Sequence, residues 1–215
     1  MFEELISHYW QEFLLIVSAH ALAVASPGPD FAIVMRQSLS FGRKFAVITS
    51  IGIGLAILVH VAYAVLGIGF LIKNTPWLFK TIQILGALYL AYIGFQAIRS
   101  TKKEAQDYSR GSQEVMTNGK AFRQGFMTNV LNPKATVFFL SLFTTIVSAT
   151  TPVSILTFYG LWMAFATACW FAFLSFILGS KSVRQFFANF GHWIDRILGV
   201  FLIGLALLLV FATFG

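Results

Sequence analysis

Charge is scarce in this chain. Only 11% of its 215 residues are charged, against roughly 25% in a soluble domain, and that deficit excludes an ordinary water-soluble globule. Cysteine is nearly absent. Cys169 stands alone, so no internal disulfide can form, and no Cys/His spacing of metal-site type accompanies it. Neither HExxH nor GxSxG occurs, and no pair of aspartates suited to intramembrane hydrolysis is found. A zinc-dependent or serine hydrolase thus lacks its nucleophile and its base, and nothing calls for a metal or an organic cofactor. A basic amino-terminal stretch is missing too: Glu3, Glu4 and Glu12 are the only charges in the first twelve residues, so the first apolar segment is expected to be retained and not cleaved as a signal peptide.

What fills the chain is apolar, 58% of it. A bilayer core about 30 Å thick needs roughly 20 apolar residues per helical span. Six stretches qualify, near 12–35, 45–72, 77–98, 124–147, 153–179 and 190–214. A membrane barrel would instead require short segments of strict apolar/polar alternation, and runs such as AILVHVAYAVLGIGFLI (56–72) do not alternate. The expectation is an all-α integral membrane protein with six transmembrane helices. Trp10, Trp77, Trp162, Trp170 and Trp193 are scattered along it, several of them suited to anchoring at the membrane interface.

The net charge of +7 follows the loops, so it reads as topology and not as a nucleic-acid surface. Twelve of the fifteen basic residues fall after spans one, three and five: Arg36, Arg43, Lys44, Arg99, Lys102, Lys103, Arg110, Lys120, Arg123, Lys181, Arg184 and Arg196. By the positive-inside rule that side is cytoplasmic and both termini lie on the periplasmic side. The longest polar linker, 99–123, divides the chain into 1–98 and 124–215. Each part holds three spans. Three is odd, so the two parts have opposite orientations, as in the inverted repeats of secondary transporters. Faint internal similarity agrees: QILGALYLAYIG (83–94) and RILGVFLIGLAL (196–207) share an Ile-Leu-Gly and a later glycine, although small residues also serve plain helix packing.

The breaks are more telling. Span one is interrupted at Ser26-Pro27-Gly28-Pro29-Asp30 and span four at Asn132-Pro133-Lys134, in matching places. Proline inside a helix costs about 3 kcal/mol, and irregular backbone survives in a bilayer only where protein or a water-filled cavity surrounds it. Asn132 before Pro133 is a helix start, as is Ser26-Pro27 or Gly28-Pro29. Two half-helices therefore begin near the midplane with their positive N-terminal ends converging, which suits an anion such as a carboxylate. Paired interruptions of this kind mark a transporter binding site.

Asp30 and Lys134 sit beside these breaks, and an ionised residue at the centre of a span costs roughly 2.5–3.5 kcal/mol. Either they pair to hold the two parts together, or they line the cavity, Asp30 facing the ammonium of a zwitterion while Lys134 faces its carboxylate; both can hold at different points of a cycle. Ser26, Gly28 and Asn132 complete the expected binding or coupling set, with Pro27, Pro29 and Pro133 as the residues that break the helices. His20 and His60 are candidates for a proton relay or for neutral packing. Asp195, with Arg196 beside it, is expected at the interface in a structural role.

SPGPDF in the first span, TNVLNPKA in the fourth, LGALYLAYIGFQAIR in the third and WIDRILG at the sixth together resemble the LysE/RhtB family of bacterial amino-acid exporters, in its threonine/homoserine exporter branch. The resemblance implies efflux of a neutral amino acid, such as threonine, homoserine or its lactone, across the bacterial inner membrane by exchange for protons. Arg36 and the basic linker are not part of the pattern. A channel, or a carrier for another small zwitterion or cation, is the alternative; an enzyme is a more distant one. The oligomeric state is left open, a homo-oligomer being compatible with everything above.

Overall fold

Apolar runs of this length satisfy their backbone polar groups internally only as helices or closed barrels. In the computed structural model, which describes residues 2–101, 115–148, 150–178 and 180–214, every regular element is a helix. They are α1 (Phe2–Ala25), α2 (Pro29–Ser40), α3 (Arg43–Asn74), α4 (Pro76–Ile98), α5 (Asn118–Val130), α6 (Pro133–Thr145), α7 (Val153–Ile177) and α8 (Lys181–Phe214). Lys102, Lys103, Arg110 and most of the 99–123 linker lie outside the described residues.

Local chemistry sets the boundaries. Prolines open α2, α4 and α6, where a missing N–H costs nothing. Thr117 caps α5 by accepting from the Lys120 amide, and Pro152 precedes α7. Between α2 and α3 the chain turns at Gly42, whose φ of +92° is a conformation that side-chain-bearing residues rarely adopt. Both expected breaks are present. The first stretch divides into α1 and α2, bent by 52°, and the stretch expected at 124–147 divides into α5 and α6. The last helix begins at Lys181, ahead of the apolar stretch expected from 190.

Among the described residues, α3, α7 and α8 each contain a segment long and apolar enough to cross a membrane, and the bent pair α1–α2 is a fourth candidate. α4 offers a shorter apolar helix, Ile84–Ile98, while α5 and α6, at 13 residues each, reach only about 20 Å apiece. The chain is an all-helical, multi-pass integral membrane protein.

Helices of the first part pack on helices of the second, α3 against α5 and α7, and α4 against α8. In lipid the hydrophobic effect does not drive helices together, so close approach through small residues matters more. Glycines stand at these crossings. A Cβ on Gly94 would lie 2.8 Å from the carbonyl oxygen of Gly199, and one on Gly199 would lie 2.5 Å from that of Gly94. Added Cβ atoms at Gly52 and Gly125 would likewise overlap the carbonyls of Phe122 and Thr49. The Gly94–Gly199 contact shows that glycines of the two similar segments serve helix packing. One buried cluster, including Ile16, Ile57, Leu90, Phe139, Leu142, Met163 and Leu198, draws on both parts of the chain.

Candidate functional site

α1 ends where its sequence runs out of donors. The amide of Ser26 still bonds the Leu22 carbonyl at 3.2 Å, but Pro27 and Pro29 have no amide to give. Gly28, extended at φ −134° and ψ −162°, is the cap of α2 and offers it no side-chain acceptor. α5 stops at Val130, and Asn132 begins α6 with its Oδ1 accepting from the Lys134 amide at 3.0 Å. Of the helix starts read from sequence in the first break, Gly28-Pro29 is the one used.

A cavity lies between the two breaks. Its wall includes Ser26, Gly28, Pro29 and Asp30 from the first and Asn129, Asn132 and Lys134 from the second, with His20 and Thr167 nearby and an apolar side formed by residues such as Leu90, Phe138 and Phe139. Of the expected residues, Pro27, Pro133 and His60 are not in the wall. The ring of Pro27 faces Gly191 on α8, where an added Cβ would lie 3.0 Å from its Cγ.

The polar contacts run crosswise. Asp30, on the first break, accepts at Oδ2 from Asn129 Nδ2 at 3.0 Å and from Asn132 Nδ2 at 3.4 Å, both on the second. Lys134, on the second, donates to Ser26 Oγ at 2.8 Å, on the first. The Ser26 hydroxyl in turn donates to Asp195 Oδ1 at 2.6 Å. Ser100 Oγ donates to Asp195 Oδ2 at 2.9 Å, and Arg196 Nε to the Ser100 carbonyl at 3.2 Å. Thus Lys134 reaches a carboxylate through one hydroxyl, and that carboxylate is Asp195.

Electrostatics explain the arrangement. Asp30 lies in the first turn of α2, where the helix dipole favours a negative charge by about 0.3–1 kcal/mol or more when partly buried. Lys134 occupies the corresponding turn of α6, where the same dipole opposes it, so the Ser26–Asp195 chain supplies the compensation. Asp195, expected at the interface in a structural role, is buried and accepts from both Ser26 and Ser100. Its carboxylate among apolar residues was the available signal. Asn129, in the last turn of α5, is not among the residues expected from sequence; it stands three residues before the Asn132 cap.

The histidines flank this centre. His60 is fully buried, stacked on Phe139 at 5.4 Å between ring centroids, with Nε2 3.1 Å from the Asn129 carbonyl and Nδ1 2.6 Å from Tyr63 Oη. His20, also buried, bonds Thr167 Oγ1 through Nε2 at 2.9 Å and lies edge-on to Trp162. Elsewhere on α1, the buried carboxylate of Glu12 accepts from the Ser148 amide at 2.9 Å and the Thr151 hydroxyl at 3.0 Å, clamping the α6–α7 connection to α1. Among the described residues, no three of His, Cys, Asp and Glu converge as a metal site.

Residues 21–213 match the family described as LysE type translocator. The chain is similar to the threonine efflux protein of Escherichia coli (strain K12), 31% identical over 204 residues, covering 92% of this chain and 97% of that protein. It is 30% identical to the threonine efflux protein of Salmonella typhi over 205 residues, with the same coverage. A leucine efflux protein of Salmonella choleraesuis is 30% identical over 194 residues, 85% of this chain and 87% of that protein. No solved structure gives a significant match.

Proposed function

The chain belongs to the LysE type translocator family, a transporter and not an enzyme, and from that membership we propose that it exports neutral amino acids of the threonine or homoserine type across the bacterial inner membrane in exchange for protons. The observation that carries this reading is the crosswise bonding of two helix breaks around one cavity, Asp30 to Asn129 and Asn132, and Lys134 to Ser26. An α-amino acid competes for both links. Its ammonium competes with the amides for Asp30, and its carboxylate competes with Ser26 for Lys134 and finds the open N-terminus of α2 close by. Substrate therefore loosens the contacts that join the breaks, which connects binding to the rocking of alternating access.

Asp30 is also the natural exchange point. A proton on its carboxyl removes the charge that attracts the ammonium, so proton and substrate exclude each other, as antiport requires. His20 in the cavity wall and His60 on the Asn129 carbonyl are the proposed relays. The membrane arrangement we propose has six spans in two inverted repeats, 1–98 and 124–215, joined by the cytoplasmic segment 99–123, with both termini periplasmic. The pairing of α3 with α7 and of α4 with α8 supports it, because equivalent helices that lie near a two-fold axis relating the repeats pack on one another.

The test is transport by the purified protein in liposomes preloaded with threonine, homoserine, leucine or lysine. Efflux of the neutral substrates, accelerated by an imposed proton gradient and showing counterflow, is expected. Efflux indifferent to the gradient removes the antiport, and conductance without counterflow replaces the carrier by a channel. Single cysteines near Lys102 and Ser148, in a Cys169-free background, should label from the cytoplasm and the periplasm respectively; labelling from one side would end the inverted-repeat reading.

A further inference from the structure

Two acceptor oxygens at the centre of the site take no hydrogen bond among the described residues: Oδ1 of Asp30 and Oδ1 of Asn129, both shut away from solvent. They belong to side chains already joined, since Asn129 Nδ2 donates to Asp30 Oδ2 at 3.0 Å. That bond fixes the orientation of the amide. Turned over, Asn129 would set oxygen against carboxylate, so its carbonyl oxygen is held as an acceptor. The residue is held from behind as well, its backbone carbonyl lying 3.1 Å from His60 Nε2, and it is only 3% exposed. Both residues line the cavity. A buried acceptor left without a donor is costly, and two of them on side chains joined by a hydrogen bond, one a carboxylate, suit a ligand that brings at least two N–H groups on one positive centre.

We infer that Asn129 and Asp30 together form an ammonium subsite that selects its ligand by the number of N–H donors on the cationic nitrogen. This rests on the amino-acid reading of the cavity and deepens it: Asp30 supplies charge, while Asn129 supplies the second acceptor. A primary ammonium, with three donors, satisfies both oxygens. An N,N-dimethyl derivative, with one, leaves an oxygen unpaired, and an N,N,N-trimethyl derivative satisfies neither. Losing one charge-assisted hydrogen bond should weaken binding about 10- to 100-fold.

Binding to the purified full-length protein can be followed by ligand-induced thermal stabilisation, using L-threonine and L-leucine, their N,N-dimethyl and N,N,N-trimethyl derivatives, and their α-methyl derivatives as controls that add bulk while keeping three donors. The native protein is expected to bind the parents about tenfold or more tightly than the dimethyl forms, and the trimethyl forms more weakly still. In Asn129→Ala the parents should weaken while the dimethyl forms hold their affinity, so the gap closes; Asn129→Ser is the second variant should the alanine protein not fold. A role confined to packing would weaken all ligands alike and leave the gap intact, which overturns the inference and leaves the export reading standing. Equal affinity for parent and dimethyl forms in the native protein, or a loss as large with the α-methyl controls, overturns it without any variant. If the native protein binds neither parent amino acid, the amino-acid reading itself fails and this subsite falls with it.

Discussion

The two breaks have related sequences, Gly28-Pro29-Asp30 and Asn132-Pro133-Lys134, and they are finished in different ways. At the second, Asn132 turns its side chain back onto the Lys134 amide and closes the end of α6. At the first, Gly28 has nothing to turn back, and the helix axis bends by 52° before α2 begins. The charges differ in the same sense. Asp30 sits with the dipole of its half-helix and takes neutral donors, whereas Lys134 sits against its dipole and is tied through Ser26 to Asp195. A strictly symmetric pair of breaks would surround a cavity with like ends. Opposite charges at matching positions give it a negative side and a positive side, which is the polarity of a zwitterion.

The largest effect that bears on this contrast is expected at Asp30. Asp30→Asn keeps the shape and cannot titrate; proton-driven export should fall by roughly 100-fold or to background, while any remaining substrate exchange loses its dependence on pH. Transport in liposomes under an imposed gradient measures both. In the double variant Asp30→Asn, Lys134→Ala, near-complete recovery of driven export would reduce the pair to structural charges that merely neutralise each other.

Lys134→Ala comes next, with a rise of about 10- to 100-fold in the half-saturating substrate concentration. The rise should be much smaller for homoserine lactone, which has no carboxylate to lose. An equal loss for acid and lactone would show that Lys134 serves the fold alone. Pro133→Ala allows the second break to regain a helical hydrogen bond, so export is expected to drop several-fold while the thermal midpoint holds or rises; unchanged transport by a stable variant would make that break incidental.

The smallest expected effect tests the caps. Asn132→Ala should cost about 1 kcal/mol of stability, whereas Gly28→Asn, which gives the first break a cap of its own, should gain a few tenths and weaken substrate binding two- to fivefold by occupying amides that the carboxylate would use. Gly28 has room for it, since an added Cβ would come no nearer than 3.9 Å to the Ser26 carbonyl. Tighter binding in Gly28→Asn would place the carboxylate elsewhere.

Much of this centre was legible before folding, because the signals are local. Proline lacks a donor wherever it stands, and Asn or Gly followed by Pro is a favoured helix start; from these came both breaks and the residues that open α2 and α6. Scarce charge and long apolar runs likewise fixed a helical membrane protein. The hydrogen bonds between the breaks were not legible. From sequence Asp30 and Lys134, in matching turns, either pair or line the cavity; that Asp30 takes the amides of Asn129 and Asn132 and Lys134 the hydroxyl of Ser26 comes from the fold.

Local rules of hydrogen bonding and burial therefore determined from sequence alone that the chain crosses a bilayer, where its helices are interrupted, and which residues stand at the interruptions. Only the tertiary structure decided who meets whom. Asn129 reaches Asp30 across 99 residues of chain, Lys134 reaches Ser26 across 108, and Ser26 reaches Asp195 across 169. Those distances close because glycines on α3, α4, α5 and α8 let the helices of one part approach those of the other to backbone contact, and the pairing of side chains across such an approach depends on how whole helices pack, which no local pattern contains.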